Sequence, residues 1–435
     1  MRISTSMMYG MGISGVQQHQ QDLLRMQQQI SSGRRMLTPS DDPVAAAAVL
    51  DLGQSRALNS QYFSNGDAAK AQLSLEEGAL ADVTMLLQDV KALAVNAGNA
   101  TLTNADRAMI ATELQNRYEE LLAIANRGNG NGQYVFSGYQ GATQPFAETS
   151  PGNVSYAGDD GQRNIQIGSS RTIPINDSGN VVFRSIRDGN GIFTVAPGAA
   201  NSGSGISDPG NVVDPAKWNA QGNPRDFTIR FNVDTIVVPP STTYDIVDNV
   251  NNVSLVTGAT PGTGPYPRAY VAGAAISLKT QSPPDTNATP FDFGANLAVT
   301  GVPADGDTFT VKASVNRDVF ATMHDLIATL RKGTTPGPVP VAAYQNALNA
   351  SMSGLDNALD NVLKVRADVG ARLKEIDFEQ GGLGDLSLQY DTRLSGLQDL
   401  DYAKAISDLS LRQTQLEAAQ KSFLTVTSLN LFKLL

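Results

Sequence analysis

The residue types that carry out most protein chemistry are scarce in this sequence. Its 435 residues include two histidines, His19 and His324, and no cysteine, which excludes disulfides and thiolate metal sites. Both histidines fall in predicted helices, and neither belongs to the His-Glu-x-x-His pattern that places two zinc ligands on one helix face. The sequence has neither a Gly-x-Ser-x-Gly elbow nor a Walker phosphate loop. We therefore predict no catalytic, metal or cofactor-binding residue, and we expect that the protein is not an enzyme.

Paired acids and clustered glycines have structural explanations. Asp41 and Asp42 stand directly before Pro43; an Asp N-cap accepts bonds from free backbone N–H groups, and Pro fits the first helical position. The glycines at 128–132 follow a predicted helix and precede a predicted strand, the reverse of a dinucleotide loop. Trp218, the only tryptophan, is expected to fill a core rather than to stack on a sugar. Acidic turns in the central region leave a calcium site there as the lesser alternative.

Composition limits the classes of partner. The chain is 41% hydrophobic and 17% charged, with a net charge of −10, so it lacks the concentrated basic charge that nucleic-acid binding requires. No apolar run approaches the length that spans a bilayer, and the N-terminus lacks the apolar core of a secretory signal. We expect no nucleic-acid partner and no membrane insertion. The protein is then either cytoplasmic or exported with its N-terminus uncleaved.

The two ends of the chain carry apolar residues that recur every seven positions. Such a repeat places a narrow apolar stripe along a helix, and the stripe is buried only against another helix. We predict that the two terminal helices pair along these residues, which we call the seam. The seam comprises Tyr9, Val16, Leu23, Ile30 and Leu37 at the N-terminal end, and Tyr402, Leu409, Leu416, Phe423 and Val426 at the C-terminal end.

Helical periodicity occupies both halves of the chain, and strand-like patterning lies between them. Residues 1–12 are rich in Met, Gly and Ser and are predicted to be flexible, Tyr134 and Phe136 alternate as in a strand, and the glycines at 381–384 predict a hinge. Short runs between about 141 and 311 predict an all-β insert of roughly eight to ten strands, arranged as a sandwich or barrel. Helices are predicted at about residues 13–30, 44–97, 104–126, 318–332, 341–378 and from 386 onward.

This order predicts an α+β multidomain fold, in which a long α-helical coiled-coil rod is built from both termini and an all-β insert lies in the middle. Residues 1–42 with 394–435 are predicted to form a terminal coiled-coil domain. Residues 43–140 with 312–393 are predicted to form a helical rod domain, and residues 141–311 a separate all-β domain.

The first helix break contains the stretch QQISSGRRMLTPSDDPVAAAAVL (28–50), in which SSGRR is followed by PSDDPVAA. This stretch resembles the N-terminal signature of the flagellin superfamily, and PSDDPVAA makes it more similar to the hook–filament junction branch than to flagellin itself. Four other stretches agree with that branch, namely MRISTSMMY at the start, GQYVFSGYQGATQPF at 132–146, GDTFTV at 306–311 and RADVGARLKEID at 366–377. The residues of the family motif are Ser32, Gly33, Arg34, Pro39, Asp41, Asp42 and Pro43.

The resemblance implies a flagellin-like structural protein of the bacterial flagellum that acts as a junction adaptor between hook and filament. The implied partners are sister copies in a homo-oligomeric ring, hook-associated protein 1 below it and flagellin above it. The terminal helices would line the inner tube with the seam as assembly surface, and residues 141–311 would form a variable outer domain.

The resemblance also implies a route and a location. Export through the flagellar type III apparatus, without a cleaved signal peptide, leads to an extracellular position, and an export chaperone would bind beforehand, with the C-terminal helix as its natural target. We expect residues 1–40 and 394–435 to fold only on assembly. Two alternatives remain: a flagellin-like filament subunit, and an unrelated secreted enzyme or lectin whose activity lies in the β insert.

Overall fold

Both ends of the chain are helical, and the strands lie between them. The structure, a computed structural model, describes residues 5–262, 264–334 and 338–431. The helices are α1 Thr5–Ser32, α2 Pro43–Ala97, α3 Asn104–Ala125, α4 Pro215–Trp218, α5 Val319–Lys332, α6 Pro338–Gln398 and α7 Tyr402–Leu431. In the part of the chain that is described, no helix is both long and apolar enough to cross a membrane. The predicted α+β fold class, helical from both termini with a central β region, is confirmed.

Strands fill the central region, together with a π-helical turn at Asn180–Arg184. They are β1 Phe146–Ser150, β2 Asn153–Tyr156, β3 Asn164–Gln166, β4 Thr172–Pro174, β5 Ile186–Arg187, β6 Phe193–Pro197, β7 Ile206–Ser207, β8 Asn211–Val212, β9 Asp226–Asp234, β10 Ser241–Asp248, β11 Val253–Ser254, β12 Arg268–Ala269, β13 Ala275–Lys279, β14 Asp292–Thr300, β15 Thr308–Ala313 and β16 Asn316–Arg317. The predicted number of strands was too low, because two-residue strands such as β7 and β8 are too short to show an alternating pattern.

Capping residues mark the N-terminal ends of helices α2, α3 and α5. The Oδ1 atom of Asp42 accepts a hydrogen bond from the N–H of Ala45 at 3.0 Å, so Asp42 caps α2 as predicted. Thr103 and Asp106 form a reciprocal capping box at the start of α3. Asp318 caps α5 through the N–H of Ala321. These caps satisfy backbone donors that the first helical turn leaves free.

Three local predictions were wrong. Helix α6 continues to Gln398 without a hinge at residues 381–384; each glycine costs roughly 1 kcal/mol of helix propensity, but neighbouring Leu383 is buried and keeps the helix packed. Helix α1 begins at Thr5, earlier than the predicted start near residue 13, and residues 1–4 lie outside the described residues. Tyr134 and Phe136 form no strand, because Val135 and Phe136 are both buried and the alternation is lost.

The chain divides into two compact units, each formed by distant parts of the sequence. One unit comprises the chain up to Asp67, Gln166–Arg171 and the chain from Ile376 onward. The other comprises Ala68–Ile165 and Thr172–Glu375. The division into three domains stays a prediction.

In the second unit, α2 and α6 run antiparallel along an apolar face. The Tyr344 hydroxyl donates to the carbonyl of Ala97 at 2.7 Å, and at the opposite end Arg366 pairs with Glu77 at 2.6 Å. Arg366 interrupts the apolar repeat of α6, and the Glu77 carboxylate supplies its partner. The residues buried along the face are Leu73, Leu80, Leu87 and Ala94 of α2 and Leu348, Leu355, Val362 and Val369 of α6.

Two antiparallel sheets in the same unit share a hydrophobic core. The larger sheet has the order β11-β10-β9-β15-β6 with β12 beside β10, and the smaller has the order β13-β14-β7 with β8 beside β14. Alternation along β9 directs Phe227, Ile229 and Phe231 into the core. Trp218 is buried in this cluster, which confirms its predicted role. Because the core takes residues from both sheets, the arrangement is that of a sandwich.

Candidate assembly surface

Helices α1 and α7 pair antiparallel in the first unit. The rings of Tyr9 and Phe423 lie 5.8 Å apart, edge to face, a favourable geometry for aromatic pairs. Further along, Asp22 and Arg412 form an ion pair at 2.7 Å. A Cβ atom at Gly12 would lie 2.6 Å from the Phe423 ring, so glycine is required there for this packing. The predicted pairing of the two ends is thus present within one subunit.

The seam is only partly buried by this pairing. Val16, Leu23 and Ile30 of α1 are half-buried, as are Leu409, Leu416 and Phe423 of α7. Leu37 is also half-buried, but it was wrongly predicted on the helix, because α1 ends at Ser32 and Leu37 lies in the turn before α2. Tyr9, Tyr402 and Val426 remain 36%, 51% and 50% exposed. One partner helix therefore covers most of the seam, but it leaves Tyr9, Tyr402 and Val426 exposed to solvent.

Other large apolar side chains on the two helices are exposed beside the seam. The sequence reasoning missed them because it followed strict seven-residue spacing, although Leu24 and Leu424 each directly follow a seam residue. We call this set the apolar rim; it comprises Met11, Ile13, Leu24, Ile406, Leu411 and Leu424. Exposed apolar surface of this kind is typical of an interaction site.

Backbone hydrogen bonds join the turn between α1 and α2, called the α1–α2 corner, to the turn between α6 and α7, called the α6–α7 corner. The α1–α2 corner contains Gly33, whose carbonyl accepts from the N–H of Leu400 at 3.0 Å. The N–H of Arg35 donates to the carbonyl of Gln398 at 2.8 Å. Gly33 has φ +69°, and a Cβ atom there would lie 3.0 Å from the Tyr402 hydroxyl. The left-handed conformation and the close approach both require glycine at this corner.

The paired acids of the family motif shape the α1–α2 corner. Asp41 accepts from the N–H groups of Leu37 and Thr38 at 2.9 and 3.0 Å and pairs with Arg25 at 2.5 Å. Hydrogen bonds from the backbone of Thr38 and Leu37 lower the pKa of Asp41. Asp42 caps α2, which begins at the predicted Pro43.

The remaining motif residues lie in the same corner. Ser32 is the last residue of α1, and its hydroxyl accepts from the N–H of Arg34 at 3.3 Å. Arg34 forms a backbone bridge with Asp399, and Pro39 is exposed. The motif therefore builds a corner that is tied to the α6–α7 corner.

Neither histidine stands in a metal-binding cluster. His19 is half-buried on α1, and the His324 ring lies 3.9 Å from Asp325. Among the described residues no group of three histidine or acidic side chains is arranged to hold a metal ion.

Comparisons with known proteins fit this arrangement. Residues 3–141 match the bacterial flagellin N-terminal helical region. The chain is 26% identical to flagellar hook-associated protein 3 of Salmonella typhimurium over 434 residues, which cover 100% of this chain and 99% of that protein. The flagellar filament 41 kDa core protein of Borreliella burgdorferi is 32% identical, but over 27% of this chain and 34% of that protein.

Solved structures show the same fold. The flagellar junction protein FlgL from Legionella pneumophila is 29% identical with a TM-score of 0.67, and the match covers 80% of this chain and 100% of that one. FlgL from Xanthomonas campestris is 28% identical with a TM-score of 0.65, covering 79% and 99%. The chain is therefore a flagellin-like structural protein of the bacterial flagellum that is similar, over its whole length, to flagellar hook-associated protein 3.

Proposed function

We propose that the protein is a junction adaptor of the flagellum, forming a homo-oligomeric ring on hook-associated protein 1 and beneath flagellin. The observation that carries the proposal is the paired terminal helices with a half-buried seam and an exposed apolar rim. In a lone subunit this surface faces water. Packing the helix pairs of sister copies side by side covers it, and we assign the protein a structural role.

The energetics favour assembly through this surface. Fully burying a large apolar side chain stabilises by about 1.5–3 kcal/mol. Most seam residues have gained more than half of that within the subunit, so covering the remainder adds about 1 kcal/mol or less per residue. The apolar rim, including Leu411 and Leu424, adds further surface of the same kind.

The similarities favour a junction protein over a filament subunit. Flagellar hook-associated protein 3 of Salmonella typhimurium matches the chain from end to end, and the Legionella pneumophila relative is described as a junction protein. The Clostridium tyrobutyricum flagellin matches over 26% of this chain.

Labelling of intact flagella tests the location. A gold-labelled antibody against the β region is expected to mark one band between hook and filament. Labelling along the whole filament would favour the filament-subunit alternative instead, and purified subunits that polymerise alone into long filaments would support it. Flagella without any label would refute both functions.

A second experiment tests the seam as the assembly surface. Leu409→Asp is expected to prevent incorporation into flagella while Trp218 fluorescence shows the β region still folded, because a charge inside a helix–helix seam has no partner. Gln413→Asp places the same charge on an exposed position of α7 and is the matched control. Normal incorporation of the Leu409 variant would remove the seam from the proposal.

We also infer an export route. The exposed apolar surface of α7 is a suitable target for an export chaperone before passage through the flagellar type III apparatus to the cell exterior. Residues 1–40 and 394–435 are proposed to become ordered on assembly. Hydrogen exchange on the monomer is expected to show weak protection in both segments; strong protection would contradict coupled folding.

A further inference from the structure

Helix α6 carries three asparagines on one side, in addition to its apolar face. Asn346, Asn357 and Asn361 are separated by eleven and four residues. Eleven residues make just over three helical turns and four make just over one, so the three amides lie on the same side of the helix. That side faces the β region of the same unit, as their hydrogen bonds show.

The first of the three, Asn346, is buried and uses both ends of its amide. Its Nδ2 donates to the carbonyl of Gly205 at 3.0 Å, and its Oδ1 accepts from the N–H of Ser207 at 2.9 Å. In a sheet, a neighbouring strand would form hydrogen bonds with the Gly205 carbonyl and the Ser207 N–H. At β7 the Asn346 side chain forms these bonds instead.

The other two asparagines each bridge a pair of carbonyls. Asn357 Nδ2 donates to the carbonyls of Arg187 and Gly189, both at 2.8 Å. Asn361 Nδ2 donates to the carbonyls of Val181 and Val182, both at 2.9 Å. An amide NH₂ has two hydrogens and can serve two acceptors, whereas an ionised Asp of the same shape has none.

We propose that Asn346, Asn357 and Asn361 form a docking rail, which positions the β region on α6 by recognising its main chain. Five of the hydrogen-bonded groups named above are carbonyls and one is an N–H. Every residue except proline carries both groups, so the side chains of the docked turns can change without loss of position. The rail thus positions the β region on α6 mainly through backbone groups rather than through side chains.

The contact between Arg372 and Asp177, unlike the asparagine contacts with the backbone, joins two side chains. Arg372 lies eleven residues beyond Asn361 and holds the Asp177 carboxylate through two bonds of 3.0 Å. That contact depends on an aspartate at one position. Asn357 and Asn361 bond to carbonyls and have no such requirement. Asn346 Oδ1 also accepts from the Ser207 hydroxyl at 3.2 Å, so one side-chain contact is added to its backbone contacts.

Isosteric substitution in the full-length chain tests the rail. Asn357→Asp removes both donated bonds and places a carboxylate against two carbonyls, so hydrogen exchange in residues 180–191 is expected to rise at least tenfold. Asn349→Asp is the matched control, since it makes the same change elsewhere on α6. Unchanged Trp218 fluorescence shows that the β sandwich remains folded.

Two further measurements separate recognition from general damage. A protonated Asp recovers one O–H donor, so at pH 4 the Asn357→Asp variant should regain part of its protection, after correction for intrinsic exchange, while Asn357→Ala should not. Val181→Ala changes a side chain at a docked carbonyl and should leave exchange as in the wild type.

The outcomes are decisive in both directions. If Asn357→Asp exchanges like Asn349→Asp, the amides do not hold the β region. If Val181→Ala raises exchange as much as Asn357→Asp, the side chains are recognised and the rail is refuted. Should Asn357→Asp fail to fold, Asn361→Ala carries the same comparison with a milder change.

Discussion

Glu76 is a buried acid whose proton should control the stability of the second unit. It lies on α2 without exposure to solvent, and its Oε1 accepts from the N–H of Asp177 at 3.0 Å. Burial, and next the negative charge of Asp177, raise the pKa of Glu76 from 4.5 to about 8. Arg372 and Arg163 act in the opposite direction but do not offset the burial. At neutral pH the buried carboxyl therefore keeps its proton.

The direction and size of the effect follow from linkage. Because the folded-state pKa is above the unfolded value of 4.5, the stabilisation from proton binding is complete below pH 4.5 and is lost as the pH rises through about 8. Glu76→Gln keeps a neutral acceptor for the Asp177 N–H and removes the titration. The free energy of unfolding of the variant relative to wild type should rise by roughly 2–3 kcal/mol between pH 5 and pH 7.

Urea unfolding at pH 5, 7 and 9 measures this difference. Trp218 fluorescence reports on the β core of the same unit, and far-ultraviolet circular dichroism reports on the helices; coincident transitions justify a two-state treatment. Glu77→Gln, one residue further along α2, is the matched control, because that carboxylate pairs with the partly exposed Arg366. If the Glu76→Gln and wild-type stabilities change in parallel with pH, Glu76 is not the proton-linked group.

Three further predictions concern other contacts. Leu416→Asp should block incorporation into flagella, as measured by swimming motility, and unchanged incorporation would contradict an assembly role. Gly12→Ala should weaken the α1–α7 pairing by crowding the Phe423 ring, whereas Gly10→Ala should not, since a Cβ at Gly10 meets nothing within 4 Å; hydrogen exchange in α7 of assembled protein compares the two. Asp285→Asn should lower the free energy of unfolding in urea by about 3–5 kcal/mol, because it leaves the buried Arg268 without its counter-ion. A decrease below about 1 kcal/mol would show that the Arg268–Asp285 pair is dispensable.

The helical ends and their pairing followed directly from the sequence. Heptad spacing fixes which side of each helix is apolar, so the pairing of α1 with α7 could be predicted without coordinates, whereas the register that brings Tyr9 to Phe423 could not. The cap at Asp42 was equally local, because the residue type and its place before an apolar run suffice. Whether the seam is the assembly surface stays a prediction.

Features that depend on remote main-chain groups could not be predicted in this way. The hydrogen bond between Gly33 and Leu400 joins backbone atoms, which every residue type except proline carries, so the residue types give no sign of it. The asparagines of the docking rail show no apolar period and no charge, and their acceptors lie far away in sequence. The glycines at 381–384 were misread because the local penalty was visible in the sequence, while the burial of Leu383, which opposes it, was not.

The pairing of α1 with α7 limits the order in which parts of the chain can fold. Each helix has its partner at the other extremity of the chain, so any process that delivers the polypeptide from one end leaves the leading helix single until the trailing one arrives. The intervening β region closes through nearer contacts and is free to fold earlier. The α1–α7 pair is thus completed after the β region is able to fold.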